Sequence, residues 1–275
     1  MAGPLGIIAG GGPFPAQVAA AAVGQGRPVF IAGLRGYVDE RSIAPYPHRI
    51  LRIGGAGEII AALRQAGCVD LVIIGPVRRP SLLDLRPDAA GTRILARIGR
   101  AAFTGDDGFL AAIVQVLGEE GFSVVGAHKI LHLAVAPAGV MGKLAPDGVA
   151  QDDIARGVTV VRALGAIDVG QGAVVQQGIV LAVEAIEGTD AMLSRAAGLA
   201  RPGPGGVLVK MVKPAQDRRT DLPTIGPATI AAAAAAGLRG LAIEAGGTLM
   251  TDRAACIAAA DAAGLFLLGL HGDTP

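Results

Sequence analysis

Charge is scarce in this chain: of 275 residues, only 17% are Asp, Glu, Lys or Arg. Acids and bases that gather at the ends of apolar runs are therefore candidates for chemistry. The densest gathering lies in the second half. Asp168-Val169-Gly170-Gln171-Gly172 opens one apolar run, Glu184 closes the next, and Glu187-Gly188-Thr189-Asp190 forms the turn that follows. Lys210 ends a further run, and Lys213-Pro214-Ala215-Gln216-Asp217-Arg218-Arg219-Thr220-Asp221 comes after it. Phosphoryl transfer needs this mixture: cations to neutralise phosphate oxygens, and carboxylates to hold Mg²⁺ or orient water. The same residues would also serve as ion pairs of the Glu184–Lys213 kind, which only satisfy each other. Type and spacing leave both readings open. Of the acids, Asp221 is the strongest candidate, because Pro223 and Gly226 brace its loop.

The first half carries a glycine loop. Gly10, Gly11 and Gly12 follow a short apolar run and precede a helical stretch, which lets backbone N–H groups approach an anion. The dinucleotide fingerprint fails, because Pro15 stands where its third glycine belongs. The acid expected after the second strand is also missing; Gly33, Leu34 and Arg35 are there instead. A nucleotide phosphate or sugar diphosphate is therefore expected ahead of NAD, and an NAD(P)-dependent oxidoreductase is the weaker alternative. Gly75-Pro76-Val77-Arg78-Arg79-Pro80 follows another strand, and Arg79 is placed to fork onto a phosphate while Arg78 is solvated. His128 sits after a strand and is expected to face a cleft. His128 and His132 are four residues apart, but Lys129 replaces the Glu a zinc protease needs, and the ligands are too few. At least one of Asp106 and Asp107 reads as a helix cap, and Cys68 and Cys256 as buried free thiols.

These residues need elements to hold them. Apolar runs at 6–9, 28–32, 69–74 and 122–125 read as strands, with helical spacing at 17–23, 56–66, 94–102 and 109–119. That alternation predicts an open parallel sheet of Rossmann-like type. Pro137, Gly139, Gly142 and Pro146 break the rhythm, so 133–146 is read as a linker between domains 1–132 and 147–275. The second domain reads as α/β: a helix at 152–164, a hairpin of 173–176 and 179–184, and a helix from Thr189 as N-cap to 197. Strands at 206–212, 238–244 and 265–270 alternate with helices at 229–236 and 253–263.

Composition excludes several functions. Lys and Arg total 24 against 23 Asp and Glu, so no basic surface is available for nucleic acid. Aromatics are 3% with no Trp, which removes base-stacking platforms. No apolar run reaches the ~18–20 residues of a membrane span. The first residues, MAGPLGIIAGGG, lack the basic region of a signal peptide.

Read together, several long stretches resemble the LpxI-type UDP-2,3-diacylglucosamine pyrophosphatase family. They are GIIAGGGPFP, RPDAAG, GDDGFL, EEGFSVVGAH, DVGQGAVV, LAVEAIEGTDAML, GGVLVKMVKPAQDRRTDLPTIG and AAGLFLLG. The resemblance runs in order over essentially the whole chain. It implies a two-domain α/β enzyme, with a nucleotide-binding N-terminal domain, a lipid-product-binding and catalytic C-terminal domain, and an active site between them. It further implies Mg²⁺-dependent hydrolysis of UDP-2,3-diacylglucosamine to UMP and 2,3-diacylglucosamine 1-phosphate, a step of lipid A synthesis in Gram-negative bacteria. The essential aspartate of the family's DLPTIG motif is Asp221 here, and its nucleotide loop is Gly10, Gly11 and Gly12. On that reading Asp221 and Lys213 are catalytic. Gly75, Arg79, His128, Gln171, Gly172, Thr189, Lys210 and Arg219 contact substrate, and Glu184, Glu187 and Asp190 are the next candidates for metal. The expected location is cytoplasmic, peripheral to the inner membrane, with a second copy of the chain as partner. A carrier that holds the nucleotide-linked lipid without hydrolysing it is the other alternative.

Overall fold

The alternating apolar runs of the first half form a parallel sheet because both of its faces are covered by helices. The computed structural model describes residues 3–77, 87–98, 106–214, 216 and 222–271. The described residues divide into two compact units, one running to His132 and the other beginning at Leu133.

The first unit contains β1 (Leu5–Ala9), β2 (Val29–Leu34), β3 (His48–Leu51), β4 (Asp70–Ile74) and β5 (Ser123–Val124), in the spatial order β3-β2-β1-β4-β5. All neighbouring pairs are parallel. Successive side chains of β1 enter opposite faces, as the strand period requires. Leu5 and Ile7 pack with Val18 and Ala19 of α1 (Phe14–Gly24). Ile8 joins the other face, where α3 (Ala56–Gln65) buries Ile59, Ile60 and Leu63 as its spacing predicted. α2 (Glu40–Ile43), α4 (Ala89–Ile98), α5 (Asp106–Glu119) and α6 (Ala127–Leu131) complete the unit. The reversal of strand order between β1 and β4 is a topological switch point, where ligands of open α/β sheets bind.

The second unit is built on a six-stranded sheet of order β7-β14-β12-β10-β8-β9. The strands are β7 (Gly139–Val140), β8 (Gly172–Gln176), β9 (Ile179–Val183), β10 (Val207–Lys210), β12 (Gly240–Glu244) and β14 (Phe266–Leu270). β10, β12 and β14 run parallel, while β8, β9 and β7 run against their neighbours. β11 (Thr224–Ile225), β13 (Leu249–Met250) and β6 (Ala134–Val135) make a small second sheet. α7 (Gly148–Ala166), α8 (Thr189–Ala197), α9 (Pro227–Ala235) and α10 (Arg253–Ala263) surround them. The hairpin turn at Gln177-Gly178 puts both residues at positive φ, 54° and 74°. Asp153 on α7, 1% exposed, accepts their backbone N–H groups at 3.0 and 2.6 Å and holds this costly geometry.

Residues 133–146 are not a bare linker. Ala134–Val135 pairs with β13 and Gly139–Val140 pairs with β14, so the stretch belongs to the second unit. Two-residue strands fall below what periodicity can register, hence the misreading. Among the described residues no helix is long and apolar enough to cross a membrane.

Candidate active site

Register places the functional side chains of the second unit at one end of its sheet. Lys210, the last residue of β10, stands opposite Gly172, the first of β8. Glu184 follows β9 directly, and its backbone N–H donates to the Gly172 carbonyl at 2.8 Å. Glu244 ends β12, which is paired in parallel with β10. Strand ends from four neighbouring segments thus set Glu184, Gly172, Lys210 and Glu244 in a row. Glu184, Lys210 and Glu244 are all buried, as is Gln216 just beyond.

The polar contacts form a chain. Lys210 Nζ donates to Thr189 Oγ1 at 2.5 Å and lies 3.6 Å from Glu184 Oε1. The Thr189 hydroxyl donates to the same Oε1 at 2.8 Å. Glu184 Oε2 is buried and accepts no hydrogen bond from the described residues. A Cβ on Gly172 would sit 2.6 Å from that oxygen, so only glycine leaves the carboxylate its place. A few residues away, Lys213 Nζ pairs with Asp168 Oδ1 at 2.6 Å, both largely buried. Asp168 has φ 56°, in the left-handed region that Asp adopts more readily than most residues. The Met211 N–H donates to the Gln171 backbone carbonyl, while the Gln171 side-chain Oε1 is buried without a partner among the described residues.

Several expectations change. The ion pair is Glu184–Lys210, not Glu184–Lys213, because Lys210 is the cation that register puts beside β9. Thr189 does not cap α8: Gly188 is the N-cap, and the hydroxyl serves Glu184 and Lys210 instead. Glu184, Glu187 and Asp190 are not gathered into one three-ligand cluster. Glu187 is exposed and pairs with Arg195 at 2.5 Å; its own backbone N–H first, and then that bond, hold its carboxyl below the usual range. Asp190 is exposed in the first turn of α8. Among the described residues no three of His, Cys, Asp or Glu are grouped to hold a metal ion. Glu244 was missed, although it closes an apolar strand just as Glu184 does.

In the first unit, Gly10–Gly12 follow β1 and Gly75 follows β4, on either side of the switch point. The loop is not an open ring of donors. Gly10 N–H donates to the Ile74 carbonyl at 2.8 Å, and Gly11 N–H to that of Pro76 at 3.0 Å. A Cβ on Gly10 would sit 2.4 Å from the Gly75 carbonyl oxygen, so Gly10 permits close backbone packing there. Gly12, at φ 73°, turns the chain into α1, whose first turn contains proline and lacks a side-chain cap. His128 lies half-buried in α6, just after β5 on the same edge. Burial, then the Lys129 charge, hold its imidazole below the usual range, so it is neutral at pH 7. Burial raises both thiols, Cys68 and Cys256, as inert core cysteines require. Arg79, Arg219 and Asp221 lie outside the described residues, as do the side chains of Asp106 and Asp107.

Comparison with known proteins tests the resemblance directly. The LpxI N-terminal domain model matches residues 4–133, and the LpxI C-terminal domain model matches residues 137–268. The chain belongs to the LpxI family. A curated relative, the UDP-2,3-diacylglucosamine pyrophosphatase LpxI of Caulobacter vibrioides, is 45% identical over 272 residues, 97% of each chain. The strand-end row lies within the part matched by the LpxI C-terminal domain. The glycine loop and Gly75 lie within the LpxI N-terminal match.

Proposed function

We propose that this chain hydrolyses the pyrophosphate bond of UDP-2,3-diacylglucosamine, giving UMP and 2,3-diacylglucosamine 1-phosphate for lipid A biosynthesis. The carrying observation is its 45% identity, over 97% of both chains, to a protein named for that activity. The geometry supports the reading. A diphosphate needs cations fixed in a site of low dielectric. Lys210 and Lys213 are largely buried, and each is aimed by a carboxylate. An ammonium has three donors, and Lys210 spends one on Thr189 Oγ1 while lying 3.6 Å from Glu184 Oε1.

In the reaction, a water oxygen bonds to a phosphorus of the anhydride and the bond from that phosphorus to the bridging oxygen breaks. The leaving phosphate keeps the electron pair. Asp221, assigned by the DLPTIG motif, takes the proton from the water. Lys210 and Lys213 hold the phosphate oxygens and oppose the charge that builds on the leaving group. Bound Mg²⁺ would add Lewis-acid neutralisation of the same oxygens. The donor chemistry fits: Glu184 Oε2 is a hard, buried oxygen to which no described residue donates a hydrogen bond. Mg²⁺ commonly takes one or two carboxylates plus substrate phosphates rather than a full protein cage.

The test is UMP release from purified protein, with Mg²⁺ and with EDTA, then with Asp221→Ala. Removing a general base lowers kcat by about 10²–10⁴-fold. Wild-type turnover in the variant would end the role of Asp221, and no UMP release from wild type with Mg²⁺ would end the whole reading. We further place the protein in the cytoplasm, at the inner face of the inner membrane, as a homodimer. Vesicle co-sedimentation and analytical ultracentrifugation test those two points.

A further inference from the structure

The segment that leaves β10 has its backbone N–H groups held one after another. Strand pairing ends at Lys210, yet the next three N–H groups are all held. Met211 N–H donates to the Gln171 carbonyl at 3.0 Å. Val212 N–H donates to Glu244 Oε2 at 3.1 Å. Lys213 N–H donates to Gln216 Oε1 at 3.1 Å. The path they define ends at the Lys213 side chain, whose ammonium meets Asp168.

Glu244 is the notable member of this set. It is only 5% exposed, in a chain that uses charge sparingly. Desolvating a carboxylate costs several kcal/mol unless its environment compensates. The turn after β12 is shaped around it. A Cβ on Gly247 would sit 2.6 Å from Glu244 Oε1 and 2.7 Å from Val212 Cγ2. Thr248 N–H closes the turn on the Glu244 carbonyl at 3.0 Å. A Gly and a tight turn thus make room for a carboxylate whose described bond runs to the residue before Lys213.

We infer that Glu244 is a positioning residue for Lys213, acting through the Val212 N–H to fix the backbone that aims the ammonium. The inference rests on the proposed hydrolysis for its kinetic readout. Glu244 need not touch substrate. What it must supply is an acceptor oxygen, and a carboxamide supplies one too.

The experiment measures kcat and KM for UMP release in wild type, Glu244→Ala, Glu244→Gln, Lys213→Ala and the double variant Glu244→Ala/Lys213→Ala. Glu244→Ala is expected to lower kcat at least tenfold with KM changed less than threefold. Glu244→Gln should restore kcat to within about threefold of wild type. On the Lys213→Ala background, adding Glu244→Ala should change kcat less than threefold, because the residue acts through a lysine already gone. Independent, multiplicative losses in the double variant would overturn the proposal, as would a Gln variant no better than the Ala variant. Hydrogen exchange over 211–214 reads the same device without substrate. Faster exchange in Glu244→Ala than in Glu244→Gln supports it, and equal exchange in the two overturns it. If wild type releases no UMP, the hydrolysis reading fails, and the exchange result still decides the role of Glu244.

Discussion

Replacing Lys210 by Met isolates the buried pair at the heart of the candidate site. The two side chains are similar in volume, so the change removes charge with little change in packing. Lys210 and Glu184 are 5% and 8% exposed as side chains, so solvent screening of the pair is slight. Deleting one partner of a buried pair costs about 3–5 kcal/mol, because the other charge is stranded. Here Thr189 still donates to Glu184 Oε1, which argues for the lower end, about 3 kcal/mol. For a domain of this size each kcal/mol moves Tm by about 2–4 °C, so a fall of about 6–12 °C is expected. The assay is thermal unfolding by far-UV circular dichroism, backed by urea midpoints. The decisive companion is Lys210→Met/Glu184→Gln. It strands no charge and should recover at least half of the lost stability. UMP release should stay low in both variants, since neither restores a cation for phosphate. A single variant within 1 kcal/mol of wild type, or a double variant no more stable than the single, would refute the coupling.

Other outcomes follow from contacts elsewhere in the second unit. Asp153→Ala frees two backbone N–H groups at the Gln177-Gly178 turn and should cost about 2–4 kcal/mol in urea unfolding. That turn is at the far end of β8 and β9 from Glu184, so kcat should stay within twofold of wild type. Asp147 caps α7 and pairs with Arg239, and those bonds, the Arg239 one foremost, hold its carboxyl below the usual range. A depressed folded-state value means the cap's contribution is complete above the unfolded value, about pH 4. The contribution disappears as pH falls through the folded value. Asp147→Asn should therefore flatten the loss of stability below about pH 4, and parallel acid-unfolding curves for the two proteins would contradict this.

Much of the fold was legible because burial imposes periodicity. Ile59, Ile60 and Leu63 fall on one face of a helix wherever that helix docks, and a run such as DLVII is a strand only if both faces are covered. The elements that escaped notice, among them Glu40–Ile43, His48–Leu51, Ala127–Leu131, Ala134–Val135 and Gly139–Val140, are too short to show a period. The motifs EGTDAML and KPAQDRRTDLPTIG carried the family by their length, independent of geometry. The pairing of charges was not legible. Which lysine meets Glu184 depends on the antiparallel register that sets Lys210 opposite Gly172, and a shift of one residue would point Lys210 to the other face. The role of Thr189 likewise turned on where α8 begins, and the glycine loop on how closely β1 and β4 end beside each other. Side-chain chemistry and local pattern are properties of the chain itself. Which buried charges meet is decided by long-range strand pairing, because a Coulomb contact of a few ångströms is made or lost by a single residue of register.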